Sequence, residues 1–159
     1  MEEIKNAFKN ALHGERAHLS VEKALEGLTV DVAGKEIENS PYTIWQLIKH
    51  ISFWHDYGMD YLTENKLPGV KTAAQGWVEE KGPTDQAELS GAIRKLLTDI
   101  EKAQDWVERI ETFNVPSNYG NPWNVYQMMA SHISYHLGEL VLLRRMAGDY
   151  PPPSGGYSW

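Results

Sequence analysis

Apolar residues recur every three or four positions along several stretches of this chain, which is the spacing of an α-helix with one buried face. The first stretch, residues 2–13, places its apolar side chains on one stripe and is interrupted at Gly14. A shorter helical piece is predicted over residues 21–28, with Ser20 as its N-cap. Residues 29–42 contain turn-forming residues without a sustained period, so a loop is predicted there.

The second long helix begins with a capping box, in which Thr43 is the N-cap and Gln46 is the third helical residue. The helical period continues to about Asn65. One face carries an apolar and aromatic stripe that also contains a histidine: Leu47, His50, Trp54, Tyr57 and Tyr61. Residues 66–83 form a long connection, and connections of that length are uncommon unless they cross a bundle or serve a site.

Two further helices are predicted in the second half of the chain. The third covers residues 85–112 and has Thr84 as its N-cap. The fourth has Asn121 as its N-cap and Pro122 as its first residue, and Gly148 ends it. Because no stretch is typical of a strand, the expected fold is an all-α four-helix bundle.

Composition and charge agree with one folded domain over residues 1–159. Hydrophobic residues make up 42% of the chain, which is ordinary for a globular protein with a buried core. The formal net charge is -7, and no segment is rich in Lys or Arg. Phosphate binding needs clustered basic side chains, so neither a nucleic acid nor an anionic membrane surface is expected as a partner.

The N-terminal sequence MEEIKNAFKN is mixed in charge and lacks the apolar region of a secretory signal. No run approaches the roughly 18 apolar residues that a membrane-spanning helix needs. The chain contains no cysteine, which excludes disulfides, thiolate ligands and a protein thiol nucleophile. We therefore expect a cytoplasmic protein, in which any metal ion must be bound by nitrogen and oxygen.

Three histidines are the strongest candidates for a functional site. His132 and His136 are four residues apart in the sequence SHISYHLGELVLLRR, so both lie on one face of the fourth helix. Two imidazoles at that spacing can bind one ion, or they can be hydrogen-bonded core histidines. His50 lies on the apolar stripe of the second helix, where an unpaired imidazole would be costly. His55 is about 140° around that helix from His50 and is predicted at the edge of the bundle.

Spacing and burial therefore leave two possibilities open. Either the three rings converge on one ion, with nitrogens about 2.0–2.1 Å from it if the ion is zinc, or they are hydrogen-bonded core histidines.

Three segments also resemble the DinB/YfiT-like superfamily. Residues 40–51, SPYTIWQLIKHI, are similar to the start of the family's second helix, where a histidine follows a tryptophan-containing turn. Residues 131–156 resemble its closing helix, with an H-x-x-x-H-x-G pattern and an arginine-containing end. Residues 12–28 resemble a first-helix segment. The segments occur in the family's order, and the match covers most of the chain.

This resemblance implies a four-helix bundle with a long crossover between helices two and three. It also implies a divalent metal ion bound by His50, His132 and His136. Zinc, nickel, iron or manganese is expected, and nitrogen ligation also suits copper. Many members of the family have glutamine where this chain has Glu139. A carboxylate there is expected either to pair with Arg144 or to orient a ligand imidazole.

The resemblance implies two enzymatic activities. Some members are metal-dependent transferases that add a low-molecular-weight thiol, such as bacillithiol, to an electrophile, and others are regarded as metal-dependent hydrolases. Because this chain has no cysteine, a thiol would have to come from solution. His55, Asp56 and Glu139 are the candidates for proton transfer, each weighed against a structural role. The alternative is a non-enzymatic bundle that binds a metal or ligand in a stress response.

Aromatic residues outside the helices add two expectations. Trp77, in the long connection, is expected either to cover a substrate site as a lid or to anchor the connection. The C-terminal sequence PPPSGGYSW is expected to be extended. Many relatives form homodimers, so Tyr157 and Trp159 are expected to pack on a partner subunit.

Overall fold

The computed structural model of the protein describes residues 2–14, 17–64, 72–109 and 122–156. These residues contain six α-helices and no strand: α1 (Glu2–His13), α2 (Val21–Leu25), α3 (Val30–Ala33), α4 (Ile44–Glu64), α5 (Gln86–Val107) and α6 (Pro122–Ala147). A short 3₁₀ turn, Ala73–Gly76, lies in the connection between α4 and α5.

The four long helices form a bundle in which each helix packs against two others. Helices α1 and α4 both pack against α5 and α6, so the four helices enclose one apolar core. Leu47, Leu96 and Leu140 are fully buried in that core. The predicted all-α bundle is confirmed, and the short helices α2 and α3 pack on its outside. No helix in the described part of the chain combines the length and the apolar character needed to cross a bilayer.

The predicted loop over residues 29–42 is wrong at its beginning, where α3 forms with Thr29 as its N-cap. A helix of four residues is too short to produce a detectable period. Helix α2 ends at Leu25, earlier than predicted. Gly27 has a φ of 70°, a left-handed conformation that favours glycine and does not continue a helix.

The capping box at the start of α4 is confirmed. The backbone N–H of Thr43 donates to Oε1 of Gln46 (3.1 Å), and the backbone N–H of Gln46 donates to Oγ1 of Thr43 (3.2 Å). The predicted N-cap of α5 is wrong by one residue, because Asp85 accepts the N–H of Glu88 (2.8 Å). Thr84 instead donates its N–H and its hydroxyl to the Glu88 carboxylate.

The ends of the later helices agree in part with the prediction. Helix α5 ends at Val107, before its predicted end. Helix α6 begins at Pro122, and Gly148 follows its end with a φ of 81°. The predicted N-cap Asn121 and the predicted end of α4 near Asn65 lie outside the described residues.

A buried arginine ties the C-terminal segment, residues 149–156, to the bundle. Arg144 is 1% exposed, and its guanidinium donates to the carbonyl oxygens of Ala24 (2.8 Å) and Glu26 (2.9 Å). It also pairs with the carboxylate of Asp149 at 2.6 Å. Because this buried charge is fully paired, the C-terminal segment is held against α6 and the end of α2.

Candidate metal centre

Three histidines from two helices converge between α4 and α6. His50 lies on α4, whereas His132 and His136 lie one turn apart on α6. One ring nitrogen from each lies within 4.8 Å of the other two, and Nε2 of His50 is 3.2 Å from Nε2 of His132. The structure therefore brings together the three predicted residues. Among the described residues, no carboxylate or further histidine joins this group, which we call the histidine cluster.

The outer nitrogens of two of these rings are held by acceptors. Nδ1–H of His50 donates to the carbonyl oxygen of Gly76 (3.0 Å), and Nδ1–H of His136 donates to Oε2 of Glu139 (2.7 Å). A carbonyl and a carboxylate can only accept, so each neutral ring carries its proton on Nδ1 and its lone pair on Nε2. Both lone pairs are thus free to bind an ion within the cluster.

Burial keeps two of the rings uncharged at neutral pH. The pKa of His132 is lowered to about 4 by burial first, and then by repulsion from His136 and His50. Burial is also the main reason that the pKa of His50 is lowered, although the hydrogen bond to Gly76 opposes it. A neutral imidazole is the form that binds metal ions, so these two rings can bind an ion without first losing a proton.

The donor set fits a divalent transition-metal ion. Zinc and its neighbours in the first transition row accept imidazole nitrogen. Two nitrogens bound to one tetrahedral zinc lie roughly 3.3 Å apart, because each Zn–N bond is about 2.0–2.1 Å long. The Nε2 atoms of His50 and His132 have this spacing. An N–H···N hydrogen bond has a similar length, so the stronger support comes from the outer hydrogen bonds of His50 and His136.

A glycine in the connection between α4 and α5 brings a carbonyl group to His50. Gly76 is the last residue of the 3₁₀ turn, and a Cβ atom there would lie 2.5 Å from Nε1 of Trp54 and 3.1 Å from Nδ1 of His50. A larger residue would push the carbonyl away from the ring. Sequence reasoning missed Gly76, whose only signal is a glycine beside a tryptophan in a long connection.

Trp77, the residue after Gly76, packs against the ring of His50. Its ring stacks on His50 with centroids 3.7 Å apart and on Tyr42 at the same distance, with interplanar angles of 13° and 6°. Two parallel rings at that distance must occupy opposite faces of the indole. Of the two roles predicted for Trp77, the anchor describes this position, since the stack fixes both the connection and the plane of the His50 ring.

His55 is not at the edge of the bundle, so that prediction is wrong. It is 2% exposed, and its Nε2–H donates to the carbonyl oxygen of Asp99 (2.9 Å). The rotation of about 140° from His50 turns the ring towards α5 instead of solvent, because α4 packs against α5 and α6 at once. Asp56 pairs with Lys95 at 2.8 Å. Neither residue belongs to the histidine cluster.

Glu139 orients an imidazole, which is one of the two roles expected for it. Its carboxylate accepts from His136, whereas Arg144 pairs with Asp149 instead. A carboxylate that accepts the outer proton of a ligand histidine fixes the ring and raises its basicity.

A family model described as the DinB superfamily matches residues 13–140 of this chain. The matched range contains all three residues of the histidine cluster and ends before the C-terminal segment. No curated protein and no solved structure matches the chain.

Proposed function

The chain belongs to the DinB superfamily, and on that basis we propose that it is a metal-dependent transferase that adds a low-molecular-weight thiol to small electrophiles. His50, His132 and His136 bind the divalent ion. The observation that supports this most directly is the cluster itself. It offers three imidazoles, and the described part of the chain supplies no fourth ligand.

The number of protein ligands favours a catalytic role over a structural one. Structural zinc sites have four protein ligands, whereas catalytic sites have three and leave one position for water or substrate. His50 and His136 are buried, but His132 is only half-buried. A small molecule can therefore approach the cluster from the side of His132.

When bound, such an ion would act as a Lewis acid and lower the pKa of a thiol or water molecule that it binds. The chain's own residues orient the ligands: Glu139 holds His136, and the Gly76 carbonyl holds His50. The chain has no cysteine, so the thiol is a co-substrate from solution, and bacillithiol represents its class.

The test begins with protein purified without a His-tag, whose metal content is measured. Turnover is then followed with bacillithiol, or another small thiol, and a chloronitroarene as a generic electrophile. Thiol consumption that depends on the metal and is lost in His136→Ala supports the proposal. His55→Ala is the matched control, because His55 is buried in the same bundle but lies outside the cluster.

Other outcomes would replace the transferase. Metal-dependent hydrolysis of esters or amides without thiol transfer would make the protein a hydrolase. Stoichiometric metal without turnover of either kind would make it a non-enzymatic metal-binding bundle.

A further inference from the structure

A groove on the far side of α6 belongs to no function proposed above. Its volume is about 650 Å³, within the range of roughly 300–1,000 Å³ that is common for small-molecule sites. Helix α6 forms its floor, and residues 17–19 and the C-terminal segment form its walls. Val141 lines the groove and is about 180° around α6 from His132. The groove and the histidine cluster therefore share a helix but no side chain.

The middle of the groove is apolar. Leu137, Val141 and Leu142 line it, and Leu142 is 56% exposed. At one end, Nδ1–H of His18 donates to the carbonyl of Leu19 (2.8 Å), and the hydroxyl of Ser134 donates to Nε2 of His18 (2.8 Å). Because these polar groups already hydrogen-bond to one another, the described residues at the His18 end of the groove offer no free group that would bind a charged ligand.

The floor of the groove contains a glycine that packing does not explain. Gly138 lies in the middle of α6, where glycine is the least favourable residue after proline. A Cβ atom there would meet no described atom within 4 Å. A Cβ atom at Gly76, by contrast, would lie 2.5 Å from Nε1 of Trp54. Gly138 therefore leaves open space in the groove instead of allowing two parts of the chain to approach.

The other end of the groove carries a positive charge. Arg145 is exposed and lies over the ring of Tyr150, 4.5 Å from its centroid. Its neighbour Arg144 is fully paired with Asp149. In the described part of the chain, no carboxylate lies within ion-pair distance of Arg145. The tyrosine ring supports the guanidinium from one face and leaves its N–H groups free for an anion.

We propose that this groove binds a small amphipathic carboxylate. The aliphatic chain lies along Leu137, Val141 and Leu142, and the carboxylate binds Arg145. Gly138 and Arg145 are seven residues apart, which is about 10 Å along a helix and suits a medium-chain acyl group. The charge determines the class of ligand. The chain has a net charge of -7, and an arginine that pairs with no described carboxylate at one end of an apolar groove favours an anion. The site is independent of the proposed metal function.

The test uses the full chain after treatment with a chelator, so that a carboxylate cannot bind to metal. Decanoate is titrated calorimetrically into wild type, Gly138→Phe and the matched control Gly91→Phe. A Cβ at Gly91 also meets no described atom, but Gly91 lies on α5 outside the groove. We expect saturable binding to wild type, a loss of at least about tenfold in affinity for Gly138→Phe, and a change within about twofold for Gly91→Phe.

A second pair of variants tests the charge without filling the groove. Arg145→Gln should weaken decanoate binding by about tenfold, a loss of about 1.4 kcal/mol. Arg94→Gln, an exposed arginine on α5, should leave it unchanged. Decyltrimethylammonium, which has the same chain and the opposite charge, should bind wild type much more weakly than decanoate.

Three results would overturn the proposal. The first is equal affinity of decanoate for wild type and Arg145→Gln. The second is equal affinity of wild type for the two amphiphiles of opposite charge. The third is a wild-type dimer that Gly138→Phe converts to a monomer while neither binds decanoate, because the groove would then be a contact between two copies of the chain.

Discussion

The two sides of α6 differ in how their polar groups are held. On the side of the histidine cluster, acceptors hold the outer nitrogens of His50 and His136, and a stacked indole fixes the ring of His50. On the groove side, Gly138 leaves space unfilled, and Arg145 contacts a tyrosine ring but no carboxylate of the described residues. On the first side, hydrogen bonds and a stacked ring position two ligands before any ion binds. The other is open and can adapt to a flexible aliphatic chain.

Loss of a cluster histidine should have the largest effect. His136→Ala should abolish metal binding and any activity, because it removes one of three ligands and leaves Glu139 without its partner. Metal content and turnover measure this, and circular dichroism checks that the variant is folded. His55→Ala should be milder. Full activity of metal-free wild type, together with an inactive His55→Ala, would show that the mechanism does not depend on the cluster.

Acid should weaken the cluster side of the protein through His132. The pKa of an unfolded histidine is about 6.5, whereas that of His132 is lowered to about 4. A lowered pKa contributes stability that is fully present above pH 6.5 and is lost as the pH falls towards 4. For metal-free protein, this loss should be on the order of 3 kcal/mol.

Urea unfolding between these pH values measures that loss. His132→Gln should lose less stability over the same range than wild type. His50 and His55, whose pKa values burial also lowers, titrate in both proteins. Identical pH dependence of the two proteins would contradict the assignment to His132.

Removal of the metal should lower stability without unfolding the protein, because the apolar core does not depend on the cluster. A ligand present at a hundredfold excess over its Kd stabilises by roughly 2.7 kcal/mol. Thermal unfolding with and without zinc, at several zinc concentrations, measures the shift. Complete unfolding by a chelator at neutral pH would instead make the site structural.

A methyl group at Gly76 should weaken metal binding by about 10- to 100-fold, the usual effect of disturbing a group that orients a ligand. The new Cβ atom would lie 2.5 Å from Nε1 of Trp54, so the carbonyl that holds His50 has to move. Competition with a chromophoric chelator measures the Kd, and Gly91→Ala is the control. An unchanged Kd would show that this carbonyl does not position His50.

A methyl group at Gly138, on the groove side, should have the smallest effect of these changes, and it should be favourable instead of harmful. Gly138→Ala should stabilise the protein by about 1 kcal/mol, because alanine is the better helix former and the added Cβ meets nothing described. Thermal unfolding measures this, with Gly91→Ala expected to give a similar gain. A destabilised Gly138→Ala would mean that the floor of the groove is already packed.

The helices and the histidine cluster could be predicted from sequence because each leaves a local signal. Thr43 and Gln46 mark the start of α4 by their own side chains, and His132 and His136 share a face by spacing alone. His50 was identified because an imidazole on an apolar stripe needs a partner. In each case the signal comes from residues that are close to one another in the sequence.

The features that sequence reasoning missed depend on residues far apart in the chain. The Gly76 carbonyl meets His50 from 26 positions away. The prediction for His55 was wrong because helical spacing gives the direction of the side chain but does not show that α5 packs on that face of α4. The groove forms where the C-terminal segment packs beside α6. The hydrophobic pattern of neither segment predicts that contact. The proposed roles of Tyr157 and Trp159 lie outside the described residues.

The arginine buried at the end of α6 has a consequence for truncation and for fusion at the C-terminus. Asp149 supplies the carboxylate that neutralises Arg144, and it lies just beyond the last helical residue, Ala147. A chain cut after Ala147 would leave a buried guanidinium without its counter-ion, a defect that costs about 3–5 kcal/mol in comparable pairs. The residues after α6 therefore contribute to the stability of the fold, and an appended sequence should leave Asp149 in place.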